Sequence, residues 1–471
     1  MAASPRLASL RGRLLLLGFG SIGQAVLPLL LRHLALQPRQ LLILSATSEG
    51  ADEAAQYGVA FHVRLITEKN HRAQLSPLLG PGDFLLNLSV EVSSLALLVM
   101  CEQLGVLYLD TCIEPWAGGY ADTSLPLAAR SNYALREQAL ALRPPGRGPT
   151  AVLTQGANPG LVSSFVKQAL LNLAADHGWP PRRPAQPAHW AQLAHDLGVR
   201  AIHIAEHDSQ VANKHRLSGE FVNTWSVSGF IAEGTQPSEL GWGTHERHWP
   251  QDAKRHASGC GAAIYLHRPG MATRVHSWTP RQGPFLGFLV THGESISLAD
   301  FLTLRKDAQV IYRPTVHYAY QPCDDALLSI HELESRHWQP QARRRILREQ
   351  IVSGADELGV LLMGHDRGAY WYGSLLSIEQ ARTLGPFNSA TSLQVAAGVL
   401  AGVVWALQHP QAGIVEPEHL DHEAVLSIAR PYLGELTGSY SDWTPLQNRQ
   451  HLFAEDLDHQ DPWQFCNIRA H

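Results

Sequence analysis

The sequence predicts an α/β chain with two sheets, and three observations carry that prediction. A leucine run ends in spaced glycines at residues 14–23. Short apolar runs then alternate with helical stretches as far as Thr111, the pattern of a parallel sheet wound with helices. Between Val199 and Tyr320 the texture changes to short β-like runs with turns, which predicts a second, α+β domain built on a mixed, largely antiparallel sheet.

Leu14 to Leu17 are four leucines in a row, a strand buried on both faces. They feed Gly18, Phe19, Gly20, Ser21, Ile22 and Gly23, after which a helix is expected from Ser21 to about Leu31. Gly18 permits the turn, Gly20 lets a pyrophosphate approach the backbone, and Gly23 lets helix and strand pack closely. The helix N-terminus then faces the phosphates. Glycines at this spacing, between a strand and a helix, form a dinucleotide fingerprint.

The second strand, 40–45, ends in Ser45. An NAD site usually carries Asp or Glu there, to bond the ribose hydroxyls. Glu49 is the nearest carboxylate. Ser45 can bond a ribose or a 2′-phosphate, and no arginine follows at once to clamp such a phosphate. NAD is the favoured cofactor.

Further strands fit at 59–65, 84–87 and 106–110, with a helix at 92–104. Asn87, Ser89, Asp110 and Thr111 fall just past carboxyl ends of strands, where such sheets bind ligands. A helix at 128–142 runs into the proline- and glycine-rich segment 143–149, a boundary. Residues 1–150 are therefore expected to form the cofactor domain.

A loop, Gly156-Ala-Asn-Pro-Gly160, opens the next region and starts a helix at 161–173. Residues 179–187 are proline-rich and expected as a surface excursion. The β-like runs IHIAEHD, FVNTWSV, AAIYLHR and FLGFLVTHGESIS follow. The span 151–390 is expected to be a substrate and dimerisation domain. Residues 391–408 are apolar and rich in small side chains, implying close helix packing. The stretch 391–471 is thus expected as a helical segment packing back on the first domain.

Composition narrows the function. The chain has 471 residues, 45% hydrophobic and 17% charged, with a formal net charge of −5. That is a globular composition, and without a basic stripe it argues against a nucleic-acid partner. No run of eighteen apolar residues occurs, which argues against a membrane span, and the N-terminus lacks a cleavable secretory pattern. The five cysteines have no metal spacing, so reduced thiols and a cytoplasmic location are expected. His245, Glu246 and His248 lack a one-face pattern, so no metal is expected. Of five lysines, Lys167 on an apolar helix is the only plausible Schiff-base candidate; its expected role is a helix-end or surface charge.

The second half carries acids and aromatics in or beside β-like segments: Glu206, Trp225, Glu233, Glu294 and Asp356–Glu357. Buried acids need partners, and an organic dication would serve, with a tryptophan face adding cation–π attraction of about 0.5–2 kcal/mol. Taken singly, each is better explained as a solvated or capping acid or a core tryptophan; it is their joint occurrence that points to a site. His292 follows the run 288–290 and precedes Glu294, so both are expected on one strand face, a pairing suited to proton transfer.

Together these segments resemble the bacterial homospermidine synthases, nearly end to end. The carrying motifs are GFGSIG (18–23), NLSV (87–90), LDT and EPW (109–111, 114–116), RSNYALRE (130–137), GANPG (156–160), IHIAEHD (202–208), FVNTWSV (221–227), ELGWGTHER (239–247), SGCGAAIYL (258–266), FLVTHGESIS (288–297), HYAYQPCDDA (317–326), DELGVLL (356–362), YWYGS (370–374) and YSDWTPL (440–446). The resemblance implies an NAD-dependent condensation of two putrescines, or of spermidine and putrescine. An amine is oxidised to an imine, exchanged with a second amine, and re-reduced with the same hydride. It further implies that Glu206, Trp225, Glu233, His292, Glu294, Asp356 and Glu114 surround the amine, that Asn158 sits near the nicotinamide, and that the chain is a homodimer. Two positions depart from the pattern: Ser45 replaces an acid, and Gly293 stands where Asn is expected. The alternatives are a saccharopine-dehydrogenase-like oxidoreductase with net redox and a nucleotide-binding protein without catalysis. A carboxylate-bearing substrate would call for arginine clamps, which the acid-rich region lacks.

Overall fold

The computed structural model describes residues 6–142, 146–181 and 183–470. Of the expected boundary at 143–149, residues 143–145 lie outside the described residues, as does Arg182 within the expected surface excursion.

Six strands open a parallel sheet: β1 (Leu14–Leu17), β2 (Leu41–Ser45), β3 (Ala60–Val63), β4 (Phe84–Asn87), β5 (Leu107–Asp110) and β6 (Ala151–Val152). Their spatial order is β6-β5-β4-β1-β2-β3, and Ile414–Val415, far along the chain, extends the sheet beyond β6. All four leucines of β1 are buried. Leu14 and Leu16 enter one core with helix α1 (Ser21–His33), while Leu15 and Leu17 enter the core under helix α2 (Ser94–Leu104). Helices on both faces explain the unbroken apolar run. Chain order reverses between β2 and β4, on either side of β1, so the crevice at their carboxyl ends is the expected ligand position.

Beyond α3 (Asn132–Ala141), α4 (Leu161–Asp176) covers the second sheet. This sheet comprises β7 (Ala201–Asp208), β8 (Pro237–Gly241), β9 (Ala253–Arg255), β10 (Ala263–Pro269), β11 (Arg274–Thr279), β12 (Gly283–Phe288), β13 (Thr315–Gln321), β14 (Ala355–Met363), β15 (Ala369–Ser377) and β16 (Glu435–Ser441). The order is β9-β10-β8-β13-β7-β14-β15-β16, with the β11–β12 hairpin joined to β13. β13 and β7 are parallel; the other pairs are antiparallel. The mixed, mostly antiparallel second sheet is thus as expected.

Three expectations need correction. Residues 288–297 are not one strand: β12 stops at Phe288, and helix α6 (Gly293–Phe301) starts with His292 as its N-cap, after α5 (Val227–Thr235). Glu294 lies in the first turn of α6, where an acid meets the positive end of the helix. Lys167 is no surface charge. It is buried in α4 and donates to the carbonyls of Glu418 and Leu420 at 2.6 and 3.0 Å, and burial pulls its ammonium down to about 8. The C-terminal stretch, expected to be helical, also gives a strand to each sheet.

Within it, α7 (Ala390–Gln408) packs on α1 and on the GANPG loop. A Cβ on Gly398 would lie 1.9 Å from the Gly156 carbonyl oxygen, and one on Gly402 would lie 2.4 Å from Gln155 Cγ. Among the described residues α7 is the one helix long and apolar enough to cross a membrane, and 89% of its apolar window is buried inside the protein.

Candidate active site

A cleft of about 740 Å³ opens at the carboxyl ends of the parallel strands, lined by Gly18, Phe19, Gly20, Ser45, Ser89 and Ser226, among others. Gly18 has φ +87°, and a Cβ there would fall 2.6 Å from the backbone of Leu88 and Ser89, so glycine is obligatory. Gly20 faces open space: a Cβ there would meet no atom of the described residues within 4 Å. Ser21 heads α1, and its buried Oγ has no hydrogen-bond partner among the described residues. An open glycine, an orphaned hydroxyl and a helix N-terminus suit a pyrophosphate, so the residues fit a dinucleotide. Gly23 stays behind the turn, its missing Cβ 2.8 Å from the Gly18 carbonyl oxygen.

The cleft continues into a cavity of about 160 Å³, and the two share Gly20, Leu88, Ser89, Val90 and Ser226. Ile22, Asn87, Thr111, Glu114, Asn158, Glu206, Trp225, Glu233 and His292 line it. Asn87 stands at the end of β4 and accepts from the Ser89 hydroxyl at 2.6 Å. Asn158, in the loop held by α7, donates to Glu206 Oε2 at 2.7 Å. Glu206 comes from central β7 and also accepts from the Tyr318 hydroxyl. Trp225 precedes α5 and donates through Nε1 to the Tyr320 hydroxyl at 3.2 Å. Glu233, on the last turns of the same helix, receives His292 Nε2 at 3.2 Å, and Glu294 receives Nδ1, also at 3.2 Å.

Electrostatics follow from that arrangement. Burial alone would lower the His292 pKa, but Glu294 and Glu233 outweigh it and hold the imidazole up to about 10. His292 is therefore a cation at neutral pH, with both ring N–H groups donating. Glu114 is pushed up to about 8, by burial first and then by Glu233. Burial raises Glu206 to about 7, against the hydrogen bonds from Tyr318 and Asn158. The cavity thus gathers three carboxylates, two of them partly neutralised by protons near pH 7.

Some expected residues stand behind the wall. Glu294 is buried, stands outside the cavity lining and is bonded by His292, which lines it. Asp356, on β14, is bonded by the Thr391 hydroxyl; its other oxygen is buried without a hydrogen-bond partner among the described residues, and its pKa is raised by burial and by Glu206 and Asp208. Asp110 is also buried. It accepts from the Thr154 amide at 2.7 Å and the Tyr108 hydroxyl at 2.8 Å, and so anchors the loop leading to Gly156. A Cβ added at Gly293 would meet Thr154 and Pro159 at ordinary contact distance, 3.7 and 3.8 Å.

Other site residues escaped the sequence reading. Tyr318 and Tyr320 stack at 5.2 Å and project from β13 onto Glu206 and Trp225. Asp208 faces Asp356 across β7 and β14. The alternating tyrosines of HYAY, in a strand-like run, were the available signal. Among the described residues no group of three or more His, Cys, Asp or Glu is placed to hold a metal.

Two family models match in tandem: the saccharopine dehydrogenase NADP binding domain over residues 14–152 and the saccharopine dehydrogenase C-terminal domain over residues 156–441. Homospermidine synthase of Blastochloris viridis is 54% identical over 464 residues, covering 97% of each chain. That of Mesorhizobium japonicum is 50% identical over 473 residues, covering 98% of this chain and 97% of its own. The crystal structure of homospermidine synthase from Legionella pneumophila in complex with NAD superposes with a TM-score of 0.92 at 50% identity, covering 98% of both chains.

Proposed function

The chain belongs to the homospermidine synthase family, and from that membership we propose that it joins two putrescines, or spermidine and putrescine, into homospermidine. Ammonia or 1,3-diaminopropane leaves. The observation that carries this reading is the cavity wall: among the described residues it holds Glu114, Glu206 and Glu233 and neither Arg nor Lys. Such a wall suits a dication and repels the carboxylates of an amino-acid substrate.

Gly18, Gly20 and Ser21 would hold NAD, which when bound would supply a reversible hydride acceptor and so a reaction with no net redox change. The chain's own residues do the rest. Glu206 and Glu233 bind ammonium groups, and Glu114 adds a third carboxylate at the cleft side. Trp225 lays its face against the iminium cation, an attraction of about 0.5–2 kcal/mol. Asn158 holds Glu206 at the nicotinamide end. Glu294 and Asp356 act from behind the wall, through His292 and Thr391.

His292 moves the protons, and its partners explain how. In the free site it is a cation between two acids. An ammonium arriving on Glu233 about 4 Å away opposes that charge by about 4 kcal/mol, which returns the imidazole from about 10 towards about 7. Binding the amine thereby makes His292 able to accept a proton as well as to donate one.

We take residues 1–150 as the cofactor domain, 151–390 as the amine and dimerisation domain, and 391–471 as the segment returning to both. The protein acts as a cytoplasmic homodimer on small molecules, without nucleic acid or membrane. The test is incubation with putrescine and NAD+. Homospermidine and ammonia formed without accumulating NADH are expected. NADH accumulating without homospermidine would mean a net dehydrogenase, and no turnover of any diamine a binding protein.

A further inference from the structure

The adenosine end of the cleft lacks the group that NAD-selective sites use. At the end of β2 stands Ser45, where a carboxylate would bond the ribose diol and repel a phosphate. The next acid along the chain, Glu49, is turned to the second domain, where Arg348 Nη2 meets its carboxylate at 2.9 Å. The ribose side of the cleft is therefore not guarded by that charge.

Cations stand in its place. The Arg64 amide donates to the Ser45 carbonyl at 2.7 Å, which puts Arg64 directly beside the β2 terminus. Arg64, Thr67 and Lys69 line the same cleft as Ser45. The Arg64 guanidinium bonds only a neutral acceptor among the described residues, Gln74 Oε1 at 3.0 Å, so N–H donors remain for another ligand. Glu68 shares this rim. Glu91, also on the cleft wall, belongs to its other end, where its amide approaches Glu114.

We propose that this corner accepts a 2′-phosphate, so that the protein binds NADP(H) as well as NAD(H), with Arg64 and Lys69 as the phosphate-binding cations and Ser45 as the hydroxyl donor. The proposal rests on the cleft being the cofactor site. It is consistent with a reaction that returns its hydride, since such an enzyme draws no net reducing power from either cofactor pool.

The test is direct titration of the purified chain with NADH and with NADPH, read by energy transfer from tryptophan to the reduced nicotinamide, with no amine present. The expected result is an NADPH Kd within about tenfold of that for NADH. Arg64→Ala and Lys69→Ala should each raise the NADPH/NADH ratio of Kd by about tenfold, and Ser45→Asp should raise it further. Both basic residues are exposed, so these variants leave the core untouched. An NADPH Kd more than about tenfold weaker in the unaltered chain would overturn the proposal while leaving the cofactor site standing. A ratio unmoved by either alanine variant would also overturn it. If neither dinucleotide binds, the cleft itself has been misassigned and the proposal falls with it.

Discussion

At Trp225 one side chain has two duties, and they can be separated. Its ring packs against Phe230 at 5.2 Å between centroids, and its N–H anchors to Tyr320. Trp225→Ala is expected to lower the condensation rate by up to about thirtyfold, the equivalent of about 2 kcal/mol of lost cation–π attraction. NADH affinity should change little; full activity in the variant would exclude the indole as the iminium's partner. The acids make a second prediction at this scale. Glu206 near 7 and Glu114 near 8 are partly protonated at neutral pH and must ionise to hold an ammonium. Putrescine should therefore bind more tightly as pH rises from 6 to 8.5, releasing protons on binding, as calorimetry in buffers of different ionisation enthalpy would detect. A Kd independent of pH, with no proton release, would show that these carboxylates are already charged or untouched. Residue types that announce chemistry were legible in the sequence: the acids of IHIAEHD and IAEGT, and the histidine of THGES. Lys167 was not, because the carbonyls that bury it lie some 250 residues further on.

Elements were legible where their period was unambiguous. The strands β1, β2 and β4 fall where the apolar runs place them, since burial on both faces leaves a continuous signal. The error at His292 arose because 288–294 is apolar, then polar, and a strand that ends on a helix N-cap looks the same as one that continues. The small residues of α7 announce a close-packing face, and one partner is the GANPG loop. This gives a prediction that opposes helix propensity. An alanine in a helix interior normally gains about 0.8–1.0 kcal/mol over glycine. At Gly398 the added methyl meets the Gly156 carbonyl, so Gly398→Ala is expected to destabilise the protein by about 1–3 kcal/mol. Because the same loop carries Asn158, amine KM should also rise. A higher melting temperature would show that the loop yields without cost.

For the whole molecule, the division into a cofactor half and a substrate half was visible as a change from alternating helices and strands to β texture. The contacts that bind the halves were not, since they join residues hundreds of positions apart. Arg348 is one: it reaches from the second domain to Gln24 Oε1 at 2.5 Å and to Glu49, across the cofactor helix and the β2 loop. Arg348→Ala is expected to speed cofactor release, seen as faster NADH dissociation in stopped flow and as free NADH appearing during putrescine turnover. Unchanged dissociation would show that the bridge does not span the exit path.

Ile414–Val415 pairs with Ala151–Val152 at the margin of the parallel sheet. While the chain is being made, that margin emerges from the ribosome about 260 residues before its partner does. At roughly 5–20 residues per second the nascent sheet waits on the order of 15–50 s with a bare edge. Such an edge invites pairing with other chains, so a message truncated after the first domain should yield an insoluble product, and a chaperone has a defined interval in which to act.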